Sequence, residues 1–235
     1  MHRRAIIMAG GKGTRLRPYT SVLPKPMMPI GEFPIIELVI RQLIKEGFDH
    51  ITISVNHQAD IIKAYFTDGS KLGVRIDYVL ETMPLGTMGA LKLIEDIPEN
   101  FLVMNGDVLT DLKYGELFDS HVKNGSVFTI SSKERKSKID YGVLSIDGTS
   151  LIGMDEKPSR TFDVSMGVYI ANIKIIDFIE PSCEYGFDRL MNDLLTNKLS
   201  PKVRKHAGYW LDIGRPDDYM KAIEDYEQRK SIFEI

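Results

Sequence analysis

The sequence predicts an α/β fold built on a mostly parallel central sheet with helices on both faces. Three observations carry that expectation. Short apolar runs alternate with helix-period segments up to about residue 125, the rhythm of a parallel sheet with crossover helices. The first run, residues 5–9, is continuously apolar and stops at consecutive glycines, as expected of a strand buried on both faces. The chain has 235 residues, 43% of them hydrophobic and 27% charged, enough for a sizeable core in an ordinary globular protein.

The elements follow in order. In residues 34–47, Ile36, Val39, Ile40, Leu43 and Ile44 recur at helical spacing between Glu37, Arg41, Gln42 and Lys45, and Gly47 stands at the C-cap position. Residues 51–55 are a β-branched strand, 58–66 a helix, 74–80 an alternating strand and 88–94 a helix. Residues 101–104 form another apolar strand, running into Asn105-Gly106-Asp107. Beyond residue 125 the pattern turns to strands at 127–131, 142–146, 151–155 and 164–171, with Asp147-Gly148 as a hairpin turn. Helices are expected at 173–179, 188–197 and 217–230. Neither a repeat nor a linker separates the halves, so residues 1–125 and 126–235 read as two lobes of one domain. In open α/β sheets ligands sit beyond the carboxyl ends of the strands, which directs attention to the segments after Ala9, Leu80, Met104 and Leu211.

Composition excludes several classes of function. Thirty Lys+Arg against 33 Asp+Glu leave a net charge of −3, which argues against a basic nucleic-acid groove. Cys183 is the single cysteine, so no internal disulfide or cysteine-based zinc site forms. The apolar stretch after Met-His-Arg-Arg is too short for a signal core, and no run approaches the roughly 20 residues that span a bilayer. The expectation is a soluble, cytoplasmic protein without nucleic-acid or membrane partners. Oligomeric state is left open, a homo-oligomer included.

The strongest motif is Ala9-Gly10-Gly11-Lys12-Gly13-Thr14-Arg15-Leu16, directly after the first strand. Its glycines let the backbone approach a phosphate and turn N–H groups towards it, and Arg15 can hold two phosphate oxygens at once. It is neither a Walker A loop nor a dinucleotide fingerprint. Downstream, Leu23-Pro24-Lys25-Pro26-Met27 fixes a lysine in a proline strut suited to delivering a point charge. Gly-Gly-x-Gly-Thr-Arg-Leu-x-Pro-x-Thr followed by Pro-Lys-Pro-Met resembles the signature of the sugar-phosphate nucleotidyltransferases, the nucleotide-sugar pyrophosphorylases. The resemblance covers nearly the whole chain, with gaps at 112–138 and 172–205, and is nearest to the short mannose- or heptose-1-phosphate guanylyltransferase type.

That resemblance implies a Rossmann-like three-layer sandwich with a smaller sugar-binding β lobe. The implied reaction is attack of a sugar 1-phosphate on the α-phosphorus of a nucleoside triphosphate, giving a nucleotide-sugar and pyrophosphate with Mg²⁺. It places Ala9, Gly10, Gly11, Gly13 and Thr14 on the nucleotide, Arg15 on the leaving pyrophosphate and Lys25 on the reacting phosphates. Asp107 and Asp212, the latter in Trp210-Leu211-Asp212-Ile213-Gly214-Arg215-Pro216, are the implied metal ligands. Two hard oxygen donors suit Mg²⁺. Asp155-Glu156-Lys157-Pro158 resembles the family's Glu-Lys-Pro, which gives Glu156 to sugar hydroxyls and Lys157 to the sugar phosphate. Gly142 and Gly167 resemble sugar-site glycines, although Met166 departs from the usual pattern. In Glu81-Thr82-Met83-Pro84-Leu85-Gly86-Thr87, relatives place base and sugar contacts, here on Glu81 and Gly86. A carboxylate has only acceptors and suits the adjacent N–H donors of guanine, so GTP is favoured, with uridylyl or cytidylyl transfer and a non-catalytic sensor as alternatives. Asp111, His57 and His206 read as structural or surface groups, Trp210 as core or pocket wall, and Met27, Met28, Met83 and Met88 as packing. No hexapeptide repeat follows the last helix, so a catalytic-type domain without a C-terminal β-helix is expected.

Overall fold

The computed structural model describes residues 2–56 and 58–229. His57 and the end of the helix expected at 217–230 lie outside the described residues. The elements are β1 (Arg4–Met8), β2 (Pro29–Ile30), β3 (Phe33–Pro34), α1 (Ile35–Lys45), β4 (His50–Val55), α2 (Ala59–Phe66), β5 (Arg75–Leu80), α3 (Gly86–Gly89), β6 (Asn100–Asn105) and β7 (Val108–Thr110). They continue with α4 (Tyr114–Lys123), β8 (Phe128–Lys138), β9 (Gly142–Asp147), β10 (Ser150–Glu156), β11 (Ser159–Asn172), α5 (Phe187–Thr196), β12 (Lys202–Lys205), β13 (Trp210–Asp212) and α6 (Pro216–Gln228).

The central sheet has the order β12-β8-β11-β6-β1-β4-β5. β1 is parallel to β4 and β6, β4 to β5, and β12 to β8, whereas β11 runs antiparallel to both neighbours. This is the α/β, mostly parallel architecture expected. Successive β1 side chains show why its run is continuously apolar. Ile7 packs into a core with Val39, Leu43, Phe48 and Phe118 on one face, and Ile6 into a core with Met88, Phe101, Tyr185 and Leu194 on the other. Each such fully buried side chain contributes about 1.5–3 kcal/mol. A third cluster joins Leu16, Met28, Ile35, Leu211, Ile213 and Tyr219, which ties the glycine loop and β13 to α6.

Several elements differ from the sequence reading. The strands expected at 127–131 and 164–171 extend to Lys138 and begin at Ser159, because their ends pair through backbone ladders with charged, exposed side chains. The helix expected at 88–94 is split into α3 and a 3₁₀ turn, Ala90–Leu93. Met88 and Gly89 lie in the first turn, where N–H groups have no partner within the helix, and both donate to Tyr185 O (3.0 Å each). Residues 173–178 are likewise 3₁₀. β2, β3, β7, α4 and β12 have no counterpart in the sequence pattern. The hairpin β9–β10 forms its own two-stranded sheet and, with the outer ends of β8 and β11, makes the smaller β lobe. Among the described residues no helix is long and apolar enough to cross a membrane.

His121 on α4 illustrates a buried group with a pH consequence. It is 1% exposed, bonded to Thr129 Oγ1 (2.8 Å) and Asn100 Oδ1 (3.2 Å), and burial lowers its pKa to about 4. Folding therefore favours the neutral ring. The associated stability is present above the unfolded-state pKa of about 6.5 and is lost as pH falls from there towards 4. Urea midpoints measured at pH 7 and pH 5 are expected to differ less in His121→Gln than in the wild type; an identical difference would refute this role.

Candidate active site

The carboxyl ends of β6, β1, β4 and β5 lie side by side in the sheet, so the segments leaving them line one cleft in that order. The cleft has a volume of about 630 Å³. From β1 come Gly10, Gly11, Gly13, Thr14 and Arg15; from β4, Asn56; from β5, Glu81, Leu85 and Gly86; from β6, Asn105 and Asp107. The glycine loop turns at Gly13, whose φ of 59° suits a residue without a Cβ. Thr20 Oγ1 donates to Gly13 O (2.7 Å), and buried Leu16 anchors the loop from below.

Lys25 is 9% exposed within the 3₁₀ turn Lys25–Met27, and its ammonium donates to Asp107 Oδ2. Asp107 and Asp212, 105 positions apart in sequence, are joined by a short ribbon. β13 pairs antiparallel with β7, opposing Asp212 to Val108, and Ile213 N–H donates to Asp107 O (3.1 Å). Arg15 reaches the same place: a methyl group at Gly214 would lie 3.5 Å from Arg15 Nη1 and 3.6 Å from Asp212 Oδ2. Burial, reinforced by the charge of Asp107, raises the Asp212 pKa, while Lys25 and Arg15 oppose the shift.

The donor set at this point fits a hard divalent cation. Asp107 Oδ1 is buried without a hydrogen-bond partner, and the Asp212 carboxylate is desolvated beside a like charge. Both penalties are relieved by a cation with oxygen preference. Among the described residues no group of three or more His, Cys, Asp or Glu converges here, so Asp107 and Asp212 are the two carboxylates that would hold such a cation. A cavity of about 40 Å³ lies behind Asp107, lined by Ala9, Gly11, Lys25 and Gly106.

At the β5 end Glu81 is 8% exposed. Ser54 Oγ donates to its Oε1 (2.6 Å), which orients the carboxylate and leaves Oε2 available. A methyl group at Gly10 would meet Glu81 Oε1 at 2.6 Å, so the glycine is needed for close approach. Gly10→Ala is therefore expected to displace Glu81 and weaken nucleotide binding by about tenfold or more, without unfolding the chain. Calorimetric titration with a triphosphate checks this, and an unchanged Kd would contradict it.

The structure brings Gly10, Gly11, Gly13, Thr14, Arg15, Lys25, Glu81, Gly86, Asp107 and Asp212 to one place, with Ala9 just behind. Gly167 (φ 73°) borders it, since a methyl group there would meet Asn105 Nδ2 at 2.7 Å. Gly142, Glu156 and Lys157 are not among the residues that line this cleft. Gly142 and Glu156 oppose each other at the open end of the β9–β10 hairpin, and Lys157 follows in the connection to β11. Asp111 accepts from His206 Nε2 (2.7 Å). Trp210 Nε1 donates to Met166 O (2.9 Å), which ties β13 to β11 beside the cleft. Met27, Met28 and Met88 are buried, whereas Met83 is exposed. Asn56 and Glu184 line the cleft without any sequence signal having marked them.

The family profile described as nucleotidyl transferase matches residues 4–229. The chain is 33% identical to the UTP–glucose-1-phosphate uridylyltransferase of Synechocystis sp., over 97% of this chain and 64% of that protein. It thus spans somewhat less than two thirds of that longer relative. It is also 33% identical to the D-glycero-α-D-manno-heptose 1-phosphate guanylyltransferase of Aneurinibacillus thermoaerophilus, over 95% of this chain and 98% of that one. Among solved structures, HddC from Yersinia pseudotuberculosis complexed with GMP-PN superposes with a TM-score of 0.72 at 31% identity, covering 95% of this chain and 99% of that one.

Proposed function

The chain belongs to the nucleotidyl transferase family, and from that premise we propose that it transfers a guanylyl group from GTP to mannose 1-phosphate or a manno-heptose 1-phosphate, releasing pyrophosphate. The observation that carries the reading is the cleft itself. Cationic Arg15 and Lys25 and the paired carboxylates Asp107 and Asp212 cluster near β1 and β6, while buried, acceptor-only Glu81 stands at β5. The guanine choice is supported by Glu81 and by the names of the heptose relative and the GMP-PN complex.

In the reaction, an acceptor phosphate oxygen attacks the α-phosphorus. The bond from that phosphorus to the oxygen bridging to the β-phosphate breaks, and pyrophosphate leaves with the electron pair. The protein's task is alignment and charge compensation. Backbone N–H groups of the Gly10–Thr14 loop and the Arg15 guanidinium hold the β- and γ-phosphates, and Lys25 faces the α-phosphate. Asp107 and Asp212 would hold Mg²⁺, which when bound neutralises charge on the phosphates. On binding, Lys25 exchanges part of its pairing with Asp107 for substrate oxygens. Glu81 accepts from the guanine N–H groups. The sugar phosphate approaches from the β11 side, bordered by Gly167. Roles for Gly142, Glu156 and Lys157 on the sugar rest on the family resemblance.

Label position tests the reaction type. With GTP labelled at the α-phosphate the label is expected in the nucleotide-sugar, and with γ-label it leaves as pyrophosphate. Transfer of γ-label to the sugar would overturn the proposal.

A further inference from the structure

We infer that Glu184 is a second base-reading carboxylate, accepting the hydrogen of the guanine 2-amino group that points away from Glu81. The inference rests on the guanylyl reading above and extends it to a residue that the sequence motifs do not contain.

Residues 183–186 form a strap against the β5 end of the cleft. Tyr185 N–H donates to Leu85 O (2.8 Å), and Tyr185 O accepts from both Met88 N–H and Gly89 N–H (3.0 Å each). A methyl group at Gly86 would meet Tyr185 O at 2.9 Å, so strap and loop are in close backbone contact. The Tyr185 ring is fully buried, and its hydroxyl donates to Asp193 Oδ2. Residue 184 is therefore held on the same wall as Leu85 and Gly86, at the end of the cleft where Glu81 stands.

Its charge is not used for folding. The Glu184 side chain is exposed and makes no hydrogen bond or ion pair with the described residues. The nearby Arg189 is committed elsewhere, with Nη2 on Glu180 Oε1 (2.8 Å) and the guanidinium over the Tyr185 ring. An exposed carboxylate with no protein partner on this wall is free to accept from a bound base. Guanine supplies the donors. Its Watson–Crick side carries N1–H and one hydrogen of the 2-amino group, which the Glu81 carboxylate can accept together. The second amino hydrogen points away from that pair and needs its own acceptor. Two acceptor-only groups on one wall match three donor hydrogens, whereas uracil has one ring N–H and no amino group.

The test is direct binding, which needs no acceptor sugar: calorimetry with Mg²⁺ and GTP, ITP (which lacks the 2-amino group), 2′-deoxy-GTP or UTP. Wild type is expected to bind GTP more tightly than ITP. Glu184→Ala is expected to weaken GTP and 2′-deoxy-GTP by about tenfold and to leave ITP unchanged. Glu184→Gln, whose carbonyl still accepts, should recover part of the loss. Equal weakening of GTP and ITP, or loss with GTP but none with 2′-deoxy-GTP, would overturn the inference. Wild type that does not favour GTP over UTP would overturn the guanylyl reading itself, and this inference with it.

Discussion

Asp107→Ala and Asp212→Ala are each expected to lower turnover by about a thousandfold or more while the protein stays folded, the scale for losing charge stabilisation at a reacting phosphate. The two carboxylates are expected to act as a unit, so the double variant should be little worse than either single one. Their effects on stability should differ. Lys25 is 9% exposed and bonded to Asp107, so Asp107→Ala leaves a buried ammonium with its direct partner gone. That variant should be destabilised by about 3 kcal/mol. Asp212 has its pKa raised by burial and by the charge of Asp107, so its ionised form opposes folding. For an acid whose folded pKa is raised, the penalty grows as pH rises from the unfolded value through the folded one. In metal-free protein at pH 7, Asp212→Asn should therefore unfold at the same or higher denaturant concentration than wild type while losing activity. Full turnover in either aspartate variant would remove that residue from the mechanism.

Glu81→Gln is expected to lower kcat/KM for GTP by about a hundredfold with little effect on UTP. The amide can still accept from Ser54 Oγ, which now bonds Glu81 Oε1 at 2.6 Å, so the local fold is preserved. What changes is the face shown to the base: an NH₂ group would meet the donors of guanine. Steady-state rates with both triphosphates read the change in ratio. A proportional fall for GTP and UTP would show that Glu81 supports the cleft without reading the base.

Much of this was legible in the sequence because the site is concentrated in a few contiguous stretches. The glycine loop, Lys25 in its proline strut and Glu81 all lie in or directly after short, recognisable segments, and the continuous apolarity of β1 reports a strand covered on both faces. Even the meeting of Asp107 and Asp212 was expected, although only the three-residue ribbon of β7 and β13 explains how it happens. What escaped has physical reasons. β12 is Lys-Val-Arg-Lys, exposed throughout at a sheet edge, and carries no apolar alternation. The outer ends of β8 and β11 pair through backbone groups and charged side chains, which leave no hydrophobic period. α3 is a single turn whose free N–H groups at Met88 and Gly89 are capped by Tyr185 O, far away in sequence. The same long-range strap brings Glu184 to the cleft, and no local pattern could announce it. Gly142 and Glu156 are opposed across the β9–β10 ladder, with Lys157 just beyond it, and none of the three lines the cleft described above.

The measurement that bears most directly on the central claim is pyrophosphate release with Mg²⁺ across GTP, UTP, CTP and ATP. Each would be paired with mannose, manno-heptose, glucose and N-acetylmuramic acid 1-phosphates, and phosphocholine would serve as the alcohol-phosphate control. The account predicts release with GTP and a manno-configured sugar 1-phosphate, at rates well above every other pair. Release confined to UTP or CTP would contradict the guanine assignment, and silence with every pair despite intact nucleotide-sugar binding would contradict the enzyme.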